Sequence, residues 1–202
     1  MPTTGYWFLD HPGYWQPPEE LKRFLNSGEP PVSLSLGSMS GIESARTEKI
    51  FALTAQALKR AGKRGVLLSN QNGIDVAGMP DGVIGVGGEV PYDWLFPRVA
   101  VAAHHGGAGT VAAALRAGVP SVVIPILPDQ VFWAWRVAAL GAGPAPIPPK
   151  RLTPDRLSAA ILEATTDPEM RRRCRLLSDK ISAENGIGRA VRAFELHVEK
   201  GR

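Results

Sequence analysis

The stretch VAVAAHHGGAGT, residues 99–110, decides how the rest of the chain is read. Its first half is a short run of alanine and valine without polar alternation, the pattern of a strand buried on both faces. Its second half turns abruptly to glycine. The residues that follow, VAAALRA, are helix formers, and Gly118 closes them. A buried strand, a glycine turn and a helix make one βα unit, so the question is whether the unit repeats.

It does. Upstream, VSLSLGS (32–38) reads as a buried strand running into a Gly-Ser turn, and 43–61 is a helix with Ile50, Phe51, Leu53, Ala57 and Leu58 at helical spacing, capped by Gly62. Residues 64–69 and 82–86 are a second and third strand, and 92–96 one helical turn. The fourth strand is 99–104, followed by a helix over 109–117. Downstream, 121–124 is a fifth strand, 131–140 a helix closed by Gly141, and 143–147 a sixth strand. Helices over 154–164, capped by Thr153 with Pro154 in first position, 168–184 and 187–199 complete the chain. The first thirty residues, rich in proline and aromatics, read as an entry arm or interdomain linker with a short helix at 18–26, and 31–202 as the domain proper. Strands alternating with helices imply an α/β, Rossmann-like parallel sheet with helices on both faces.

Composition narrows the function classes. The 202 residues are 44% apolar and 21% charged, ordinary for one globular domain. No apolar run approaches the ~20 residues of a membrane span. The start, MPTTGYWFLD, lacks the basic and apolar regions of a signal peptide, so a cytoplasmic address is expected. One cysteine, Cys174, excludes an internal disulfide and a cysteine-cluster metal site, and is read as structural. The net charge of +4 suits a phosphate-bearing ligand. Nucleic acid is disfavoured, because the basic residues are scattered. Arg171, Arg172, Arg173 and Arg175 form the one basic cluster, a solvated helix face or one that meets acidic lipid or another domain.

In such sheets ligands bind outside the carboxyl ends of the strands. Three loops there are chemically loaded. His104 to Thr110 is the richest: glycines admit close approach, the helix start offers unpaired amides and a positive dipole end, Thr110 adds a hydroxyl, and His105 offers a hydrogen bond or a charge to a diphosphate. The plain alternative is a tight turn with a structural histidine; no lysine follows, so it is not a Walker loop. IPILPDQ (124–130) sets Asp129 beside Gln130, a pair suited to sugar hydroxyls, or else Asp129 caps a helix starting at Val131. LGSMSG (36–41) brings Ser38 and backbone amides to the same edge.

These loops, in this order, resemble the C-terminal domain of family 1 glycosyltransferases, the UDP-glycosyltransferase superfamily, in its sterol-glucosyltransferase-like and antibiotic-glycosyltransferase branch. The matching residues are GYWFLD at 5–10, LSLGSM at 34–39, VPYDWLFPRVAVAAHHGGAGT at 90–110, LRAGVPSVVIPILPDQVFWAWRVAALGAG at 115–143 and AENGIGRAVRAFE at 183–195. The resemblance implies the C-terminal half of a GT-B fold. It implies a metal-independent, inverting transfer of a hexose from a UDP- or dTDP-sugar to a hydroxyl of a small lipophilic acceptor, with no cofactor. Ser38, His105, Gly107, Ala108, Gly109 and Thr110 would hold the diphosphate, Glu89 and Val90 would bind the base, and Asp129 and Gln130 would bind the sugar.

Plant members place a base-stacking tryptophan where this chain has Glu89, and a ribose-binding glutamate where it has Ala113. The usual catalytic base, a histidine of the N-terminal acceptor domain, has no counterpart here: His11 is in the wrong motif and His197 reads as surface. No catalytic residue is therefore assigned. The expectation is a donor-binding half that needs an N-terminal acceptor domain in the same or a separate chain. A stand-alone donor subunit and a non-catalytic nucleotide-binding regulatory module are the alternatives.

Overall fold

A computed structural model describes residues 3–10, 13–37, 44–69 and 79–200. Five strands, β1 (Val32–Ser35), β2 (Gly65–Ser69), β3 (Val83–Gly87), β4 (Val101–His104) and β5 (Ser121–Val123), form one sheet in the order β3-β2-β1-β4-β5. Every pairing is parallel. The helices are α1 (Glu19–Asn26), α2 (Ser44–Ala61), α3 (Tyr92–Leu95), α4 (Ala108–Arg116), α5 (Pro128–Ala139), α6 (Pro154–Thr166), α7 (Pro168–Ser182) and α8 (Gly186–Lys200).

Alternation along the strands divides the core. Val32, Leu34, Leu67, Val101, Ala103 and Val122 face one side, where they meet Ile50, Phe51 and Leu58 of α2 and Leu157 and Ile161 of α6. Val66, Leu68 and Ala102 face the other, under Leu21 of α1, Leu95 of α3 and Ala114 of α4. A third cluster joins α4, α5 and α7 through Val111, Val137 and Cys174. Leu34 and Leu67 are wholly buried, and each such side chain contributes about 1.5–3 kcal/mol of hydrophobic transfer. Helices thus cover both faces, which is why strands buried on each side read as continuous apolar runs.

The sixth strand is not formed. Residues 143–147 run beside β5, but only Ile147 N–H reaches it, bonding the Val123 carbonyl at 3.0 Å. Pro144 and Pro146 in this segment have no N–H to give a ladder. The first strand stops at Ser35, short of the glycine turn, and the fourth begins at Val101.

The arm takes part in the core. Leu21 of α1 is fully buried, with Trp15, Phe24 and Leu25 packed around the same cluster. Residues 3–10 have no regular structure; Tyr6 and Phe8 pack on the third cluster, and Asp10 pairs with Arg116 at 2.6 Å. Cys174 is buried, and that burial pushes its thiol up to about 11 against the opposing charge of Arg175. Arg172 and Arg173 are exposed and both pair with Glu169. Among the described residues no helix is long and apolar enough to cross a membrane.

Candidate functional site

The chain builds outward from β1 to β3, then returns to β4 beside β1, so the strand order reverses between β1 and β4. Ser35 and His104 are register partners there. The loops after the two strands therefore leave the sheet side by side and open the crevice where doubly wound sheets bind ligands.

His105 fills the space between these loops. A Cβ on Gly37 would stand 2.6 Å from its Cε1, and one on Gly107 2.5 Å from its Nε2. Only two glycines let the imidazole lie there, and Gly37 also has φ +62°, a conformation that L side chains resist. Gly107 is the N-cap of α4 and supplies no side-chain cap. The amides of Ala108, Gly109 and Thr110 consequently have no acceptor within the helix, and the positive end of the dipole lies with them. Around Gly109 a Cβ would meet nothing within 4 Å.

His105 is 7% exposed. Burial lowers its pKa from the ordinary histidine value, while the Ser35 backbone and the Asp129 carboxylate pull it back. Among the described residues its Nδ1 has no hydrogen-bond partner. His104 points into the core. Its Nδ1 accepts the Gly106 N–H at 3.1 Å, so its proton sits on Nε2, which has no partner among the described residues. Burial, reinforced by His105, pushes His104 down to about 3. Of the two adjacent histidines, one is a neutral structural group and the other lines the crevice.

The remaining residues named from sequence fall into place unevenly. Thr110 is buried with its hydroxyl beside that of Tyr92, which also meets Ser35 Oγ at 2.5 Å, so its amide is the group turned to the helix start. Helix α5 begins at Pro128, three residues earlier than its sequence reading, with Leu127 as N-cap. Asp129 thus stands exposed in the first turn and is not the cap. Gln130 is buried, and its Oε1 accepts the N–H of Ile126 at 2.8 Å and of Leu127 at 2.9 Å. Its carbonyl closes the loop, which leaves Nε2 as the group able to meet a ligand. Glu89 is exposed and Val90 buried in the turn from β3 to α3. Ala113 is half-buried, and His197 is exposed on α8. Ser38, the rest of its loop to residue 41, and His11 lie outside the described residues. Tyr92 and Trp15 were not singled out from sequence; the aromatic density of PYDWLF and GYWQPP was their only signal. Among the described residues no three His, Cys, Asp or Glu side chains converge as metal ligands.

The model of the erythromycin biosynthesis protein CIII-like C-terminal domain matches residues 62–188. The chain belongs to this family. It is 41% identical over 197 residues to O-mycaminosyltylonolide 6-deoxyallosyltransferase of Streptomyces fradiae, covering 98% of this chain and 45% of the relative. A sterol 3-beta-glucosyltransferase of Arabidopsis thaliana is 34% identical over 200 residues, covering 99% of this chain and 31% of the relative. Among solved structures, the glycotransferase of kitacinnamycin superposes with a TM-score of 0.73 at 29% identity, over 95% of this chain and 47% of the other. A spinosyn rhamnosyltransferase complexed with thymidine diphosphate shares the fold, with a TM-score of 0.67 at 23% identity, over 83% of this chain and 45% of the other. The chain of this CIII-like family member spans less than half the length of these relatives. Its parallel five-stranded sheet is that of the C-terminal half of GT-B glycosyltransferases, and both curated relatives are glycosyltransferases by name.

Proposed function

We propose that this chain is the donor-binding half of a metal-independent, inverting glycosyltransferase that takes a UDP- or dTDP-hexose. The observation that carries the reading is the His105 imidazole held between Gly37 and Gly107 at the uncapped start of α4. Amides with no helical acceptor, a dipole end, open space at Gly109 and a histidine form a cradle for a diphosphate. Those groups meet the charge by fixed dipoles, with no need of a bridging cation. Asp129, close enough to act on His105, and the neighbouring Gln130 would meet the hydroxyls of the sugar. The relative that holds thymidine diphosphate supports a pyrimidine nucleotide ligand.

In the transfer, a hydroxyl of a small lipophilic acceptor attacks the anomeric carbon from the face opposite the nucleotide, and charge grows on the departing diphosphate. The α4 amides and His105 stabilise that charge, which is electrostatic catalysis by preorganised donors. The base that takes the acceptor proton belongs to an N-terminal acceptor domain, in keeping with the length of the relatives. Val131, Phe132 and Trp135 on α5, and Ile187, Val191 and Phe194 on α8, are exposed apolar side chains available to meet that domain.

Calorimetric titration with UDP, dTDP and UDP-glucose, in EDTA and then in magnesium, tests the reading. Saturable binding that survives EDTA and is lost in His105→Ala is expected. Absence of binding to all three, or binding only with magnesium, overturns it.

A further inference from the structure

A groove of about 910 Å³ runs from the start of α4 along its small side chains, Gly109, Ala112 and Ala113, to the arm that crosses above them. Trp15 lines the same groove. Its Nε1 donates to the Glu89 carbonyl at 3.1 Å, tying the arm to the turn before α3. Its ring meets Trp94 edge to face, with centroids 5.2 Å apart at 63°, and Trp94 is in turn covered by the Arg98 guanidinium at 4.5 Å. The indole is half-buried, held by that hydrogen bond and ring contact among others, and lines the groove together with Glu89, Pro91 and Tyr92. Position 89 carries no ring of its own.

We propose that Trp15, from the arm, is the stacking platform for the base of the bound nucleotide. The inference rests on the donor-site reading above and adds the residue that reads the nucleoside. A nucleotide whose diphosphate sits on the α4 amides extends its nucleoside into this groove, because the groove begins at Gly109 and is lined by α4 itself. An aromatic plane suits any base, since each has a π-face, and a pre-fixed indole loses little freedom on binding. The arm then does more than join two halves: it completes the pocket.

Titration of wild type, Trp15→Leu and Trp15→Phe with UDP, dTDP and inorganic pyrophosphate, with circular dichroism as the folding control, tests this. Trp15→Leu is expected to weaken both nucleotides about tenfold, in line with one lost base–aromatic stack, with Trp15→Phe between it and wild type and pyrophosphate unchanged in all three. Tryptophan fluorescence quenching by UDP should shrink in Trp15→Phe. Unchanged UDP affinity in Trp15→Leu, while His105→Ala still abolishes binding, overturns the proposal and leaves the donor site standing. Equal weakening of UDP and pyrophosphate assigns Trp15 a structural role only and also overturns it. Should Trp15→Leu unfold, Trp15→Phe decides on the same criteria. Failure of wild type to bind any nucleotide overturns both readings.

Discussion

Gly37 and His105 are fitted to each other across the crevice: a methyl on the glycine would stand 2.6 Å from the imidazole Cε1, inside any real carbon contact. The two belong to loops after different strands, and the imidazole can lie where it does only because position 37 carries no side chain. Gly37→Ala combines that clash with a φ of +62°, and a strain of about 1–2 kcal/mol is expected from the backbone alone. Urea denaturation should show at least this loss, and UDP affinity should fall with the displaced ring. Gly109→Ala is the contrast. Its Cβ meets nothing within 4 Å, so stability should hold or rise by up to about 1 kcal/mol from helix propensity, while UDP affinity falls because the methyl occupies the ligand's approach.

Gln130 separates a structural task from a binding one. Gln130→Ala strips the N–H groups of Ile126 and Leu127 of their acceptor, a cost of about 1–3 kcal/mol in a denaturant midpoint shift. Gln130→Glu keeps an acceptor and places a negative charge in the first turn of α5, where the dipole favours it. It should retain most of the stability. If Nε2 serves the sugar, Gln130→Glu should still lose UDP-glucose affinity relative to UDP; equal affinities for both ligands would confine Gln130 to the loop.

Asp129 carries no structural duty of that kind, since Leu127 is the cap and Asp129 is exposed. Asp129→Ala should weaken UDP-glucose about tenfold, the worth of a hydrogen bond to a charged group, with UDP nearly unchanged. Competition titration of the two ligands measures the split. Equal loss of both would remove Asp129 from the sugar site.

His104 sets an acid limit on stability. Its folded pKa is lowered to about 3 by burial, from an ordinary 6.5. Between those values the unfolded chain binds a proton that the folded chain refuses, so stability is complete above pH 6.5 and falls as pH drops towards 3. At pH 5 the loss from this group is about 2 kcal/mol. Denaturation at pH 7 and pH 5 should show it in wild type and show less in His104→Asn; the same pH dependence in both would refute it.

How much of this was legible beforehand depends on the kind of residue involved. The parallel sheet followed from strands such as VAVAA and SVVI, because burial on both faces leaves an unalternated apolar run. Ends were less legible. PDQ opens a helix at Pro128, with proline at the first position and glutamine at the third, a start signal that lies ahead of the apolar run from Val131. The sixth strand was forecast across Pro144 and Pro146, which cannot donate to a ladder. Within the site, the glycine turn and His105 were visible in sequence order. Their sandwich with Gly37 was not, because it arises from the β1–β4 pairing, and no local pattern encodes which strands become neighbours. The same holds for Trp15 and the Glu89 carbonyl.

The central place of β1 also dictates how the chain can assemble. Its β2 edge is satisfied early, by the next strand to be synthesised. The other waits until β4 arrives, after all of β2 and β3. Such distant closure slows folding and leaves Val32 and Leu34 on an open, apolar edge in the interval. A polypeptide cut before residue 99 would keep that edge permanently, and would be expected to recruit other strands and aggregate during expression.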